Sequence, residues 1–325
     1  MAGSTMTRTG IDLGTASVKL VRAVGAARVE VITHAGLEEW DRVPSGERVA
    51  AAAGALRRLL RRLGLRRGQL GRVAVAAGGH EVSLREVLLP PLTAEELRRA
   101  LPYEARKHLD LEGMTEPVLD AQILDPSLEA PNGEGPRMRV LLAAAPAAAR
   151  DFALAVLDEL GIDPHVVDVE PLAALNELLA RAPERTGAGA EALALLDIGA
   201  AHTALHVAGR RGGVLSRRVG DGVGACGEDG AADRFAAMVD RVRETLTFFR
   251  GRHRREIAGV FLAGGGALRE GCAESLGRAL GREVAPLDPI ADLGREARGA
   301  RQAAAGGPRY VTACGLCRWW DEDDV

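Results

Sequence analysis

Two stretches in opposite halves of this 325-residue chain carry one pattern. Gly10–Leu20 (GIDLGTASVKL) is echoed by Leu195–Leu205 (LLDIGAAHTAL), with Asp, Gly, Ala and Leu at offsets 0, +2, +4 and +8. Each copy reads as an apolar strand, a tight turn of small residues, and a second strand (Val18–Ala23; Ala204–Ala208). One such hairpin is an ordinary turn. Two copies, one per half, predict two related α/β lobes facing each other. Length agrees, since a domain of this kind takes roughly 100–200 residues.

The hairpin has a chemistry. A turn of small residues presents several backbone N–H groups to one point, which makes a nest for an anion. Gly14, Thr15, Ala16 and Ser17 form the first turn, and Gly199 to Thr203 the second, with hydroxyls at Thr15, Ser17 and Thr203. Asp12 and Asp197 end the incoming strands. An aspartate there cannot hold phosphate itself but can hold a magnesium ion through water, because magnesium keeps most of its waters. Lys19 follows Asp12 by seven residues, and the chain has only one other lysine, Lys107, among 42 basic residues. A compact ammonium suits a terminal phosphate better than the broad guanidinium fork used elsewhere. A third element, the strand Ala258–Ala263, runs into Gly264-Gly265-Gly266 and then a helix expected around Leu268–Leu280. Glycines ahead of a helix let a ligand approach backbone closely.

Asp12-x-Gly14 with Lys19, Asp197-x-Gly199 with Thr203, and Gly264–Gly266 together resemble the two phosphate loops and the adenosine motif of the actin, Hsp70 and sugar-kinase superfamily. Within it the chain resembles the type IV pilus assembly protein PilM family, relatives of the division protein FtsA. Four stretches carry the narrower likeness besides Gly10–Val21. These are Leu88–Leu109, Leu154–Leu175 with Asp168-Val169-Glu170, Thr247-Phe248-Phe249, and Tyr310–Leu316, so that the likeness runs from about Thr9 to Trp319.

The resemblance implies an actin-like ATPase fold, a duplicated ribonuclease H-like α/β architecture. Its first lobe would span 7–190, with an FtsA-type subdomain inserted at about 81–163. The second lobe, 191–320, would be shortened, and its last helix would return to the first lobe. It implies ATP with Mg2+ as cofactors, affinity or hydrolysis being reduced because no lysine serves the adenine side. Glu170 falls where relatives orient the attacking water, and a carboxylate there serves as general base when its pKa is raised. The implied role is a scaffold, enzymatic weakly or not at all. It would lie in the cytoplasm at the inner face of the inner membrane, binding the cytoplasmic tail of a PilN-like membrane protein and self-associating. A small-molecule kinase of the superfamily, a related secretion platform and a division-type filament protein are the alternatives. Against the kinase, the insert is rich in Leu, Ala and Arg and has no Asp/Asn cluster to grip a sugar.

The residues of Leu88–Leu109 speak for themselves too. Thr93-Ala94-Glu95-Glu96 reads as a capping box. Leu97, Leu101, Ala105 and Leu109 make one apolar stripe, and Pro102 inside it should kink or break the helix.

Other features exclude functions. A formal net charge of −3 argues against a nucleic-acid binder. The Arg57–Arg67 run places Leu56, Leu59, Leu60 and Leu63 at helical spacing, so it reads as an amphipathic helix with a solvated basic face. No apolar run is long enough to span a bilayer, so membrane contact is expected only through a partner. Cys314 and Cys317 have CxxC spacing, but no second pair completes a zinc site, and both read as buried thiols. His202 and His206 lie in an alternating strand pattern rather than on a helix, and read as structural.

Overall fold

The computed structural model describes residues 5–25, 31–41, 43–78, 81–129, 135–181, 192–209, 212–225, 230–291 and 297–319. The first sheet contains β1 (Met6–Leu13), β2 (Ser17–Gly25), β3 (Val31–Glu39), β4 (Arg72–Ala77) and β8 (Val166–Val169), in the order β3-β2-β1-β4-β8. The second contains β9 (Ala192–Ile198), β10 (His202–Gly209), β11 (Val214–Asp221), β12 (Ile257–Ala263) and β13 (Val284–Pro286), in the order β11-β10-β9-β12-β13. The orders are the same. In both sheets an antiparallel meander is followed by strands parallel to its first member. The sequence repeat is therefore a repeat of topology, and we call each sheet with its helices a lobe.

Strand β9 reads as a near-continuous apolar run, and β1 is buried from Arg8 to Asp12, because both faces of each sheet are covered. On the first lobe, α1 (Arg48–Leu63) places Leu56, Leu59, Leu60 and Leu63 in the core, each at most 8% exposed, while its arginines stay in water. Each buried leucine contributes roughly 1.5–3 kcal/mol. Helix α3 (Ala147–Asp158) packs with α1 through Ala153, Val156 and Leu157. On the second lobe, α5 (Ala231–His253) and α6 (Cys272–Leu280) cover one face. The opposite face packs on α4 (Glu170–Arg181), which crosses between lobes.

A third sheet, β5-β7-β6, is built from β5 (Ser83–Leu89), β6 (Pro117–Glu129) and β7 (Pro136–Pro146). Helix α2 (Ala94–His108) covers it with Leu97, Leu101 and Ala105, joined by Leu109. This insert interrupts the chain between β4 and β8. The block expected over 81–163 contains α3, but α3 lies in the first-lobe core. Pro146 ends β7 and caps α3 directly, leaving no loop between them.

The capping box of α2 forms: Glu96 N–H donates to Thr93 Oγ1 at 3.2 Å, and Thr93 N–H to Glu96 Oε2 at 2.8 Å. Pro102 does not end α2, which continues to His108. Its ring lies on the exposed face, where a carbonyl left without an N–H partner is open to solvent. The helix expected directly behind the glycine triplet starts later. Gly265–Leu268 forms a 3-10 turn, and α6 begins at Cys272.

The C-terminal segment holds α7 (Ala300–Ala304) and a short helix, α8 (Val311–Leu316), packed on α4 and on β1. Glycine allows that closeness. A Cβ on Gly10 would lie 2.1 Å from the Ala313 carbonyl oxygen, and one on Gly315 would lie 1.7 Å from that of Ala173. Glu177 of α4, fully buried, receives Arg318 from beyond α8 and Arg181 from its own helix, the latter at 3.3 Å.

Candidate functional site

The two hairpin turns face each other across a cleft of about 620 Å³. Its wall includes Asp12, Gly14, Thr15, Ala16, Ser17 and Lys19 from the first lobe, and Asp197, Gly199, Gly264 and Gly265 from the second. Glu170, the first residue of α4, joins them. The backbone accounts for the convergence. Asp12 pairs directly with Lys19 across β1–β2. Asp197 pairs with Ala263 across β9–β12, which sets the glycine triplet beside it.

Two expected site residues stand off the wall. Thr203 is fully buried, and its hydroxyl donates to the Asp221 carbonyl at 2.6 Å, so it is not turned to a ligand. Gly266 is buried as well; a Cβ there would meet Ile198 Cγ2 at 2.3 Å, so this glycine serves packing.

Lys19 turns into the cleft rather than out to water. Its Nζ lies 2.9 Å from Asp12 Oδ2, and the two side chains are only 13% and 8% exposed. Gly14 makes space for it, since a Cβ there would stand 2.5 Å from that Nζ. Burial raises the Asp197 carboxyl to about 6, with Lys19 opposing and Asp12 adding to the rise. Two aspartates facing one lysine leave a negative charge that a cation would relieve. The donor set, two carboxylates beside small-residue turns, fits a hydrated Mg2+ with a polyphosphate. Glu170 lies against the Gly78 backbone, where a Cβ would be 2.7 Å from its Oε2.

The sequence reading missed Trp40. Its main-chain N–H donates to the Ala16 carbonyl at 3.1 Å, and its indole N–H to the Gly14 carbonyl at 3.2 Å. Two acceptor oxygens of the first turn are thereby drawn toward the residue just past β3, the arrangement a phosphate-facing turn needs. A lone tryptophan after a strand carries no signal for this. Arg48, Arg217, Arg218 and Arg309 also reach the cleft wall from elements that the motifs do not mark.

In the second turn, the Gly199 N–H donates to the His202 carbonyl at 3.0 Å, so one expected amide is used within the turn. His206 bonds Ser216 Oγ at 2.9 Å, and burial lowers its pKa to about 4, so it stays neutral. Among the described residues no three His, Cys, Asp or Glu side chains are grouped to hold a metal. Cys314 and Cys317 are buried, and burial pushes the Cys317 thiol up to about 12. Cys226 lies outside the described residues.

Comparison with solved structures agrees with this arrangement. The chain is similar to a structure described as a "PilM-PilN type IV pilus biogenesis complex", with 25% identity, a TM-score of 0.71, and coverage of 95% of this chain and 97% of that one. Weaker likeness is found to the ethanolamine utilization protein EutJ from Carboxydothermus hydrogenoformans (16% identity, 96% and 89% covered, TM-score 0.46). The activator of the 2-hydroxyisocaproyl-CoA dehydratase from Clostridium difficile with bound ADPNP is a third (10% identity, 96% and 93% covered, TM-score 0.46). The fold is that of the structure described as a PilM-PilN complex. The family model of the type IV pilus assembly protein PilM matches residues 10–228, more than half of the chain, and the chain belongs to that family. A comparison with curated proteins finds no match.

Proposed function

We propose that this chain is an ATP-binding scaffold of the inner-membrane platform that assembles type IV pili. It lies at the inner face of the inner membrane and holds the cytoplasmic tail of a PilN-like membrane protein. The observation that carries the reading is the family match, joined by likeness over nearly the whole chain to a structure described as a PilM–PilN complex. No helix among the described residues is long and apolar enough to cross a membrane.

For the nucleotide, the support is convergence. Asp12, Lys19, Asp197 and Gly264 come from three separate motifs and meet on one wall. In this reading the Lys19 ammonium leaves Asp12 for the terminal phosphates, and Asp12 and Asp197 hold Mg2+ through its waters. Glu170, on the cleft wall, orients a water in this reading, and hydrolysis is slow. The division into lobes at 7–190 and 191–320 belongs to the same reading.

The test is calorimetric titration of the full chain with the cytoplasmic N-terminal peptide of the PilN-like protein from the same genome, with and without Mg-ATP. Saturable peptide binding, changed in affinity by Mg-ATP in the native chain and not in Lys19→Ala, is expected. An absence of peptide binding in both conditions would remove the scaffold reading. A nucleotide effect that survives in Lys19→Ala would remove the phosphate-loop reading.

A further inference from the structure

The insert grows out of the first lobe, yet one edge of its sheet is fixed to the second. Strand β7 runs into α3 without a loop, and α3 is part of the first-lobe core. Strand β5, the edge strand paired with β7, meets the residues that lead into β11. Glu86 Oε2 there accepts the Gly213 N–H at 2.5 Å, with the Glu86 side chain only 12% exposed. Arg139 of β7 stands 3.7 Å from Glu86 Oε1 and covers Gly212, where a Cβ would meet its Nη1 at 2.3 Å. Behind Gly213 sits α5. A Cβ on Gly213 would be 3.1 Å from both the Phe249 ring and His253 Nδ1. Val214 then packs with Val82, Leu84 and Ala145 of the insert and Leu172 of α4.

The geometry points to Glu86 as a positioning residue that latches the insert to the second lobe, so that the insert and the β10–β11 hairpin move together when the cleft opens or closes. The lever is β11. It begins at the latch with Val214 and carries Arg217 and Arg218 to the cleft wall. A lobe movement that shifts those arginines must either turn the insert or break the Glu86 bond. The consequence for nucleotide rests on the proposed function; the latch itself does not.

The test is amide hydrogen exchange on the full chain, read first without ligand. Glu86→Ala removes an acceptor that is charged and nearly enclosed, so exchange in the 212–221 segment and in β5 should rise roughly tenfold or more. Strands β9 and β12 should stay unchanged. Glu95→Ala, which breaks only an exposed pair with Arg99 on the same insert, should change neither segment. Glu86→Gln keeps the shape and an acceptor oxygen, and should give a smaller rise in the same two segments. Unchanged exchange in Glu86→Ala would overturn the latch, as would an equal rise in Glu95→Ala or a rise spread over both lobes. Mg-ATP is then added. In the native chain, slower exchange at 12–19 should be accompanied by a change in β5 that Glu86→Ala abolishes. No response at 12–19 counts against the nucleotide reading only, because the ligand-free comparison has already decided the latch.

Discussion

Alanine at each of the three consecutive glycines 264, 265 and 266 should give three different outcomes, because the backbone uses each for a different reason. Gly264 sits at φ 78° and ψ −179°, a region nearly closed to other residues, where a side chain costs about 1–3 kcal/mol in strain. Its Cβ would also lie 2.4 Å from Asp197 Oδ1 and 2.5 Å from the Ile198 main-chain oxygen. That oxygen belongs to the end of a central strand and cannot yield cheaply, which adds about 1–3 kcal/mol. The sum is about 2–6 kcal/mol, with Asp197 displaced as well. Gly266 has ordinary backbone but would press on Ile198 Cγ2 at 2.3 Å, an overpacking cost of about 1–3 kcal/mol. Gly265 faces open space within 4 Å, and its alanine variant should stay within about 0.5 kcal/mol. Thermal unfolding resolves these, at about 1–2 °C per kcal/mol for a chain of this length. Titration with Mg-nucleotide then separates Gly264→Ala, expected to lose binding, from Gly265→Ala, expected to keep it. If Gly264→Ala and Gly265→Ala melt together and bind alike, the backbone described for this loop is wrong and the triplet is no site wall.

Glu177→Ala leaves two arginines facing each other in a largely enclosed space, and should cost about 2–4 kcal/mol in urea unfolding; a loss under about 0.5 kcal/mol would mean that the C-terminal tie carries little. Trp40→Phe keeps an aromatic ring but loses the indole N–H to Gly14, a bond of about 1 kcal/mol, and part of the buried ring volume. The melting temperature should fall by a few degrees and nucleotide affinity several-fold, and an unchanged affinity would count against the buttress. Burial raises the Asp168 carboxyl to about 6 from an ordinary 3.8, with Asp120 adding to the rise against the Val169 N–H bond. The fold thus favours the neutral form, a contribution fully present below pH 3.8 and lost as pH rises through 6. Asp168→Asn should therefore stabilise the protein by about 1–2 kcal/mol at pH 7.5, the gap closing toward pH 4; a destabilised variant at pH 7.5 would reverse the sign argued here. Thiol reagents should leave Cys314 and Cys317 unmodified until the protein unfolds, and rapid labelling of the native chain would refute their burial.

Much of this was legible in the residues, for reasons that also mark where legibility ends. The hairpins were readable because backbone chemistry needs small residues at fixed offsets, and Asp12, Lys19, Asp197 and Gly264 do meet on one wall. The stripe of α1 was readable because amphipathic periodicity is local. Thr203 was misjudged because alternation along a strand tells which residues share a face, while the Asp221 carbonyl that takes its hydroxyl lies on another strand. Whether Pro102 ends its helix could not be read, because its cost depends on whether the orphaned carbonyl meets water, a tertiary fact. The place of α3 could not be read either, since Val156 and Leu157 would suit any apolar core. Trp40 and Glu86 act through main-chain groups far off in sequence, and no side-chain pattern encodes such a partner.

Those distant ties share a logic. The cleft is walled by loops, and loops hold a geometry only when something rigid grips them. Trp40 grips the first turn. The Gly264 N–H donates to the Pro308 carbonyl at 3.0 Å, so the C-terminal segment grips the glycine triplet. Farther along, that segment pairs Arg309 with Glu39 at 3.2 Å, seats Ala313 on Gly10, and locks Arg318 onto Glu177. It touches both lobes, for Val311 also packs in one cluster with Leu195, Phe261 and Ala263 of the second. Glu86 joins the lobes again through the insert. A chain with both ties in place cannot shift one loop without moving the C-terminal segment or the insert, so a ligand in this cleft would be felt on the outside of the molecule, where a partner can bind.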